Sequence, residues 1–291
     1  MVVTGSVSGL GPPRRAPRRT CQGQAPSSAG FTAALRRSRG CVFSGEVKSP
    51  PRRGVTCSTL PHWLQHRPGA AAVPALALTF DDGPGPSTGA LLEVLQRHGA
   101  RATFFLVGKN LEGAALGDPE GARSLALRAL REGHRLGNHG YSHARDPLPD
   151  GALAEEFRRL DALLLGLHRE AGVAPPAVFP CRLPYGPLVR GTPEGPTMDE
   201  RLAVLASLGR THTHWTGIFD DWEPDTRAET LAERVVAHIR TVWDDGRLPV
   251  PVLHDAGTRR RANGFDRGAT VAAVDAVCGA LGAEARYGWV G

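Results

Sequence analysis

From Val73 to the end of the chain, short apolar runs rich in β-branched and aromatic residues alternate with longer segments of helical periodicity. This alternation is the tightest constraint on the fold. The run ALALTF (75–80) predicts a buried strand, and 87–98, with Leu91, Leu92, Val94 and Leu95 on one face, predicts a helix. By the same criteria strands are expected at 102–108, 134–138, 176–180, 211–218, 249–253 and 286–290, and helices at 119–132, 151–171, 198–208, 226–243 and 268–281. Strand-then-helix units in succession demand parallel strands joined by right-handed crossovers. No Gly-x-Gly-x-x-Gly turn follows the first strand, which argues against a dinucleotide-binding sheet. The expected class is α/β, a distorted (β/α) barrel of about seven strands.

Net charge divides the chain into two parts. Residues 1–72 hold eleven Lys or Arg and the single acid Glu46, for +10, whereas 73–291 carry a net −4. Stretches such as GPPRRAPRRT and KSPPRRG cannot build a core, so 1–72 is expected to be a disordered basic extension or a mis-called start, and 73–291 the folded domain. The basicity belongs to that extension, which has no interleaved aromatics, and no nucleic-acid partner is expected. No apolar run reaches the ~20 residues of a membrane-spanning helix. MVVTGSVSGL is too polar for a signal peptide, which points to the cytoplasm. Cys21, Cys41, Cys57, Cys181 and Cys278 include no CxxC pair, so neither a zinc ribbon nor a disulfide scaffold is indicated.

The residues suited to catalysis follow the expected strands: Asp81 and Asp82, His139 and His143, Arg182, Asp221 and Trp222, then His254 and Asp255. In a (β/α) barrel the strand C-termini share one face, so five loops converge on one pocket. Each element alone has an ordinary reading. DDG is a common turn, His-x-x-x-His recurs by chance, and a histidine at a strand end is usually hydrogen-bonded structure. Together they form a set: two imidazoles at i, i+4, expected on one side of a helical turn, plus one carboxylate can hold a metal with a position left open for water. The second carboxylate of the Asp81–Asp82 pair is then a base, and His254 an acid.

These residues also carry a resemblance. LTFDDGP (78–84), NHGYSH (138–143), RLPYG (182–186), DW (221–222) and VLHD (252–255) resemble, in order, the five motifs of the polysaccharide deacetylases, the NodB-like carbohydrate esterases. The resemblance spans about 73–290. It implies Asp81 as catalytic base, Asp82, His139 and His143 as ligands of one divalent ion, zinc in most members, and Arg182 as the cation holding the base. It further implies the backbone N–H of Tyr185 as oxyanion donor, Asp221 as the carboxylate orienting Arg182 or His254, Trp222 as groove wall and His254 as general acid. The implied reaction is hydrolysis of N-acetyl, or O-acetyl, groups on acetylated glycans or amino sugars, by enzymes often exported. A metal-dependent amidase for a small linear or cyclic amide is the alternative, because the motifs specify the hydrolytic core and not the acyl donor. Gly140, Ile218 and Val252 depart from the family pattern, Gly140 being expected to loosen its turn. The stretch 187–197 is expected to be a long loop beside the site, with Arg259, Arg260 and Arg261 close after His254.

Overall fold

The structure, a computed structural model, describes residues 75–144, 148, 151–187, 199–257 and 266–290, and the backbone of 190–192 and 195–197. The basic extension and Arg259–Arg261 lie outside the described residues.

Nine strands and seven helices are described: β1 (Ala75–Leu76), β2 (Leu78–Asp81), α1 (Thr88–Arg97), β3 (Ala102–Leu106), α2 (Gly108–Leu111), α3 (Pro119–Arg131), β4 (Arg135–Asn138), α4 (Ala152–Ala171), β5 (Arg190–Thr192), β6 (Gly195–Thr197), α5 (Glu200–Ser207), β7 (Gly217–Ile218), α6 (Ala228–Asp244), β8 (Pro251–His254), α7 (Gly268–Leu281) and β9 (Arg286–Tyr287). The central sheet is parallel, in the order β4-β3-β2-β8-β7. Its middle strands β2 and β3 are buried along their whole length, as a sheet covered by helices requires, although the β2 face that carries Thr79 and Asp81 is polar. Phe80, Phe104, Leu136 and Leu253 from these strands meet Leu91, Leu95, Leu160, Val235 and Val274 from the helices in one core.

The edges of this sheet are joined by one short run. Cys181 bridges Asn138 at the end of β4 and also His212, and five residues after His212 the chain enters β7 and pairs with β8. The circuit β4, Cys181, 212–218, β8 has the connectivity of a barrel reduced in places to single bridges.

Three expected strands differ from the structure. The run 176–180 is irregular, with only Cys181 bridged, because Pro175, Pro176 and Pro180 supply no N–H to a ladder. The run 211–218 changes partner midway and is a bridge plus a two-residue strand. The run 286–290 pairs over only two residues, with β1, in a separate two-stranded sheet. Within the expected loop 187–197, β5 and β6 form an antiparallel hairpin. Among the described residues, no helix is long and apolar enough to cross a membrane.

Candidate active site

Asp81 is the last residue of β2, and Asp82 leaves the strand at φ +75°. That left-handed turn sends adjacent carboxylates in different directions. It is secured by Asn110 of α2, whose Nδ2 donates to the Asp82 carbonyl at 2.7 Å and to that of Gly257 at 3.2 Å. His139 directly follows β4, and its Nδ1 lies 2.8 Å from the carbonyl of Arg182. That contact places the proton on Nδ1 and leaves the Nε2 lone pair towards Asp82, with Nε2 3.6 Å from Oδ1. His143 brings its Nε2 to 3.0 Å from the same oxygen.

One ligand atom from each of Asp82, His139 and His143 lies within 4.8 Å of the other two. Asp82 Oδ1 is buried at the centre of the three and accepts no hydrogen bond. Burial pushes the Asp82 carboxyl up, but the charges of His143, His254 and His139 outweigh it and hold the group far below the usual range. His139 is pushed down to about 4, chiefly by burial and against the pull of Asp81, which keeps its imidazole neutral. An orphaned carboxylate oxygen facing two imidazole nitrogens fits a divalent cation.

Arg182 is fully buried. Its Nη1 donates to Asp81 Oδ1 at 2.6 Å and to Thr79 Oγ1 at 2.9 Å, its Nε donates to the carbonyl of Thr213 at 3.2 Å, and the guanidinium lies 4.2 Å over the Phe105 ring. One oxygen of Asp81 is thereby committed, while Oδ2 lies 3.7 Å from His139 Nε2.

His254 ends β8. Its Nδ1 lies 2.7 Å from Asp221 Oδ1, and its backbone N–H donates to Oδ2 of the same carboxylate, also at 2.7 Å. Thr270 Oγ1 adds a third bond to Asp221 at 2.9 Å. Of the two partners expected for Asp221, the one observed is His254. Burial lowers the His254 pKa, but Asp221, with Asp82 and Asp81 behind it, raises it to about 9. Trp222 stands edge-on to the imidazole at 5.1 Å, and Tyr185, at φ +61°, stands edge-on to His143 at 4.7 Å.

Seven of the nine expected site residues line one cavity of about 370 Å³, with Arg182 and Asp221 holding them from behind. Asp255 does not line it. That buried carboxyl accepts from Thr88 Oγ1 at 2.6 Å and is pushed up to about 7, mainly by burial. Gly140 has φ +78°, where glycine is the least strained residue, so it suits the turn rather than loosening it. Sequence reasoning missed Asn110 and Thr270, whose roles depend on contacts 28 and 49 positions away. It also missed Trp215 and Arg267 in the cavity wall. Trp215 was open to discovery, since it lies in the run that leads into the DW motif, where an aromatic side chain is a natural lining residue.

Comparison with known proteins gives this geometry a family. The polysaccharide deacetylase profile matches residues 69–186. A chitooligosaccharide deacetylase of Bradyrhizobium is 30% identical over 179 residues, 61% of this chain and 69% of its own length. A peptidoglycan-N-acetylglucosamine deacetylase of Bacillus cereus is 33% identical over 150 residues, 50% of this chain and 48% of that protein. A chitin deacetylase of Arthroderma benhamiae matches at 40% over 90 residues. The chain thus spans between about a quarter and a half of the length of the last two relatives. Among solved structures, a family 4 carbohydrate esterase from Streptomyces lividans, in complex with acetate, superimposes with a TM-score of 0.53 at 25% identity, covering 75% of this chain and 93% of that one. The polysaccharide deacetylase Bc1974 of Bacillus cereus gives 0.53 at 26% identity, over 75% and 92%. These neighbours share the α/β fold expected from the strand pattern, and the chain belongs to the polysaccharide deacetylase family.

Proposed function

We propose that this protein is a metal-dependent hydrolase that removes N-acetyl groups from amino sugars in glycans, with zinc held by Asp82, His139 and His143. The observation that carries the reading is the buried, unbonded Asp82 Oδ1 facing two imidazole nitrogens beside a separately held carboxylate and a carboxylate-backed histidine. Two imidazoles and one carboxylate are a donor set typical of catalytic zinc. Such an ion supplies Lewis acidity to the acetyl carbonyl and makes water a stronger acid.

The chain's own groups complete the chemistry. Asp81, kept in place by Arg182, accepts a proton from the attacking water through its second oxygen. The water oxygen bonds to the acetyl carbon, and the backbone N–H of Tyr185 donates to the carbonyl oxygen as it becomes negative. His254, protonated and oriented through Nδ1 by Asp221, gives the Nε2 proton to the sugar nitrogen as the carbon–nitrogen bond breaks. Acetate and a free amino sugar leave. Trp222 offers a flat wall to the sugar ring.

The test is acetate release from chitooligosaccharides and peptidoglycan, with metal content measured on the same preparation. Loss of activity on chelation and recovery on adding zinc are expected. Hydrolysis of small linear or cyclic amides with no acetate released from any glycan would replace this reading with the amidase one.

A further inference from the structure

Among the described residues, the charges of the reaction centre have opposite partners. Asp81 is paired with Arg182, Asp82 lies among imidazoles, and His254 is paired with Asp221. Arg267 lines the same cavity, is only 5% exposed, and forms no ion pair with any described carboxylate. Its Nη1 donates to the carbonyl of Asp266 at 2.8 Å, and its Nε is buried without an acceptor. The adjacent carboxylate of Asp266 is engaged elsewhere, its Oδ1 accepting from Ser87 Oγ and from the Gly268 N–H, each at 3.0 Å. The residue is not loosely placed, because its own backbone N–H donates to Ser87 Oγ at 2.7 Å at the start of α7.

A guanidinium removed from water incurs a large desolvation penalty unless an anion and hydrogen-bond acceptors compensate it. Arg182 also keeps one buried nitrogen, Nη2, without an acceptor, but its charge is met by Asp81 at 2.6 Å. Arg267 is buried in the wall of the reaction cavity, anchored through its backbone, and without a carboxylate partner among the described residues, so an anion that enters the cavity is its natural complement. A hydroxyl would satisfy one N–H and leave the charge. A carboxylate satisfies both, in the planar two-point geometry that guanidinium groups favour.

We infer that Arg267 binds a carboxylate on the substrate, so that the preferred amino sugar bears an acidic substituent near its acetamido group. This rests on the deacetylase reading. The test uses the full chain loaded with zinc and two acetylated amino-sugar oligomers that differ only in a carboxylate-bearing ether on one ring. The wild-type kcat/KM is expected to favour the acidic oligomer at least tenfold, mainly through KM, with the preference shrinking as salt is added. Arg267→Gln should lower that ratio by ten- to a hundredfold, the size of a charge-assisted hydrogen bond, and Arg267→Lys should retain part of it. Quenching of tryptophan fluorescence by the deacetylated acidic sugar reads binding without turnover, and should weaken in both variants. Equal wild-type kcat/KM for the two oligomers, or a ratio that Arg267→Gln leaves intact, overturns the inference. If Arg267→Gln does not fold, the wild-type ratio and the Lys variant decide. If neither oligomer is hydrolysed, the deacetylase reading fails, and the fluorescence titration alone decides the role of Arg267.

Discussion

Two neighbouring carboxylates with different surroundings are expected to fail differently when neutralised. Asp82 faces the imidazoles and Asp81 faces Arg182. Asp82→Asn should release the metal, since a neutral amide is a poorer ligand than a carboxylate. Asp81→Asn should keep the metal and lose about 10²–10⁴ in rate, the usual worth of a general base. Metal content and kcat measured on both variants check the division, and the opposite pattern would exchange the two roles. His254 gives a pH-dependent test. Its pKa in the metal-free protein is raised from 6.5 to about 9. A histidine raised in this way stabilises the fold fully below about 6.5 and ceases to do so as the pH rises through about 9. Asp221→Asn should therefore destabilise the metal-free protein by about 1–3 kcal/mol at pH 6 and by much less at pH 10. Denaturant unfolding at the two pH values measures this. A bound cation lowers the His254 pKa in the loaded enzyme, and Asp221→Asn should move the alkaline limb of kcat/KM to lower pH still.

The element that holds the site together is the shortest helix. α2 donates from the backbone N–H of Gly108 to the carbonyl of Gly140 at 3.2 Å, and from that of Lys109 to the carbonyl of Tyr141 at 2.8 Å. Its Asn110 holds the carbonyl of Asp82. One turn of helix thus brackets both segments that carry the metal-ligand set. At Gly108 the ring of Tyr141 packs so closely that a Cβ would overlap Cδ2 and crowd its Cα. Gly108→Ala should accordingly push the 139–143 turn away, lowering zinc affinity together with stability by about 1–3 kcal/mol. Asn110→Ala leaves two carbonyls short of a donor and is expected to cost about 1–3 kcal/mol as well. Zinc titration followed by denaturant unfolding reads both effects in one sample. A Gly108→Ala protein with wild-type zinc affinity would remove α2 from this role.

At the scale of the molecule, the site depends on sheet closure. The run 212–218 joins Cys181 to β8, and Arg182 next to that bridge reaches the Asp81 side chain from 101 residues away. The described core and every proposed catalytic group lie at or beyond residue 75. A chain beginning at Gly69 is therefore expected to fold and to retain acetate release, with circular dichroism and the acetate assay as the measurements. Loss of either would make 1–72 part of the working enzyme.

Local chemistry in the chain was enough to mark strand–helix alternation, the turn at Asp81–Asp82 and the histidine pair, because residue type and periodicity act over a few neighbouring positions. The pair stands, however, on an irregular loop with Gly140 and His143 at positive φ and not on the helical turn its spacing suggests. The order of the motifs along the chain placed them on one face, since parallel strands align their C-termini. The irregular course of 176–180 and the split of 211–218 came from what those runs pair with, which local propensity does not contain. The resemblance left open whether Asp221 orients Arg182 or His254, and it gave no sign of Thr270; the fold sets Asp221 against His254 and against Thr270, 49 residues on. The same holds for Arg267, whose lack of a partner depends on which groups the folded chain brings near it and which it keeps away. Residue type determined what each group can do. Only burial and long-range contact decided which groups are paired, which are strained and which are left to meet a substrate.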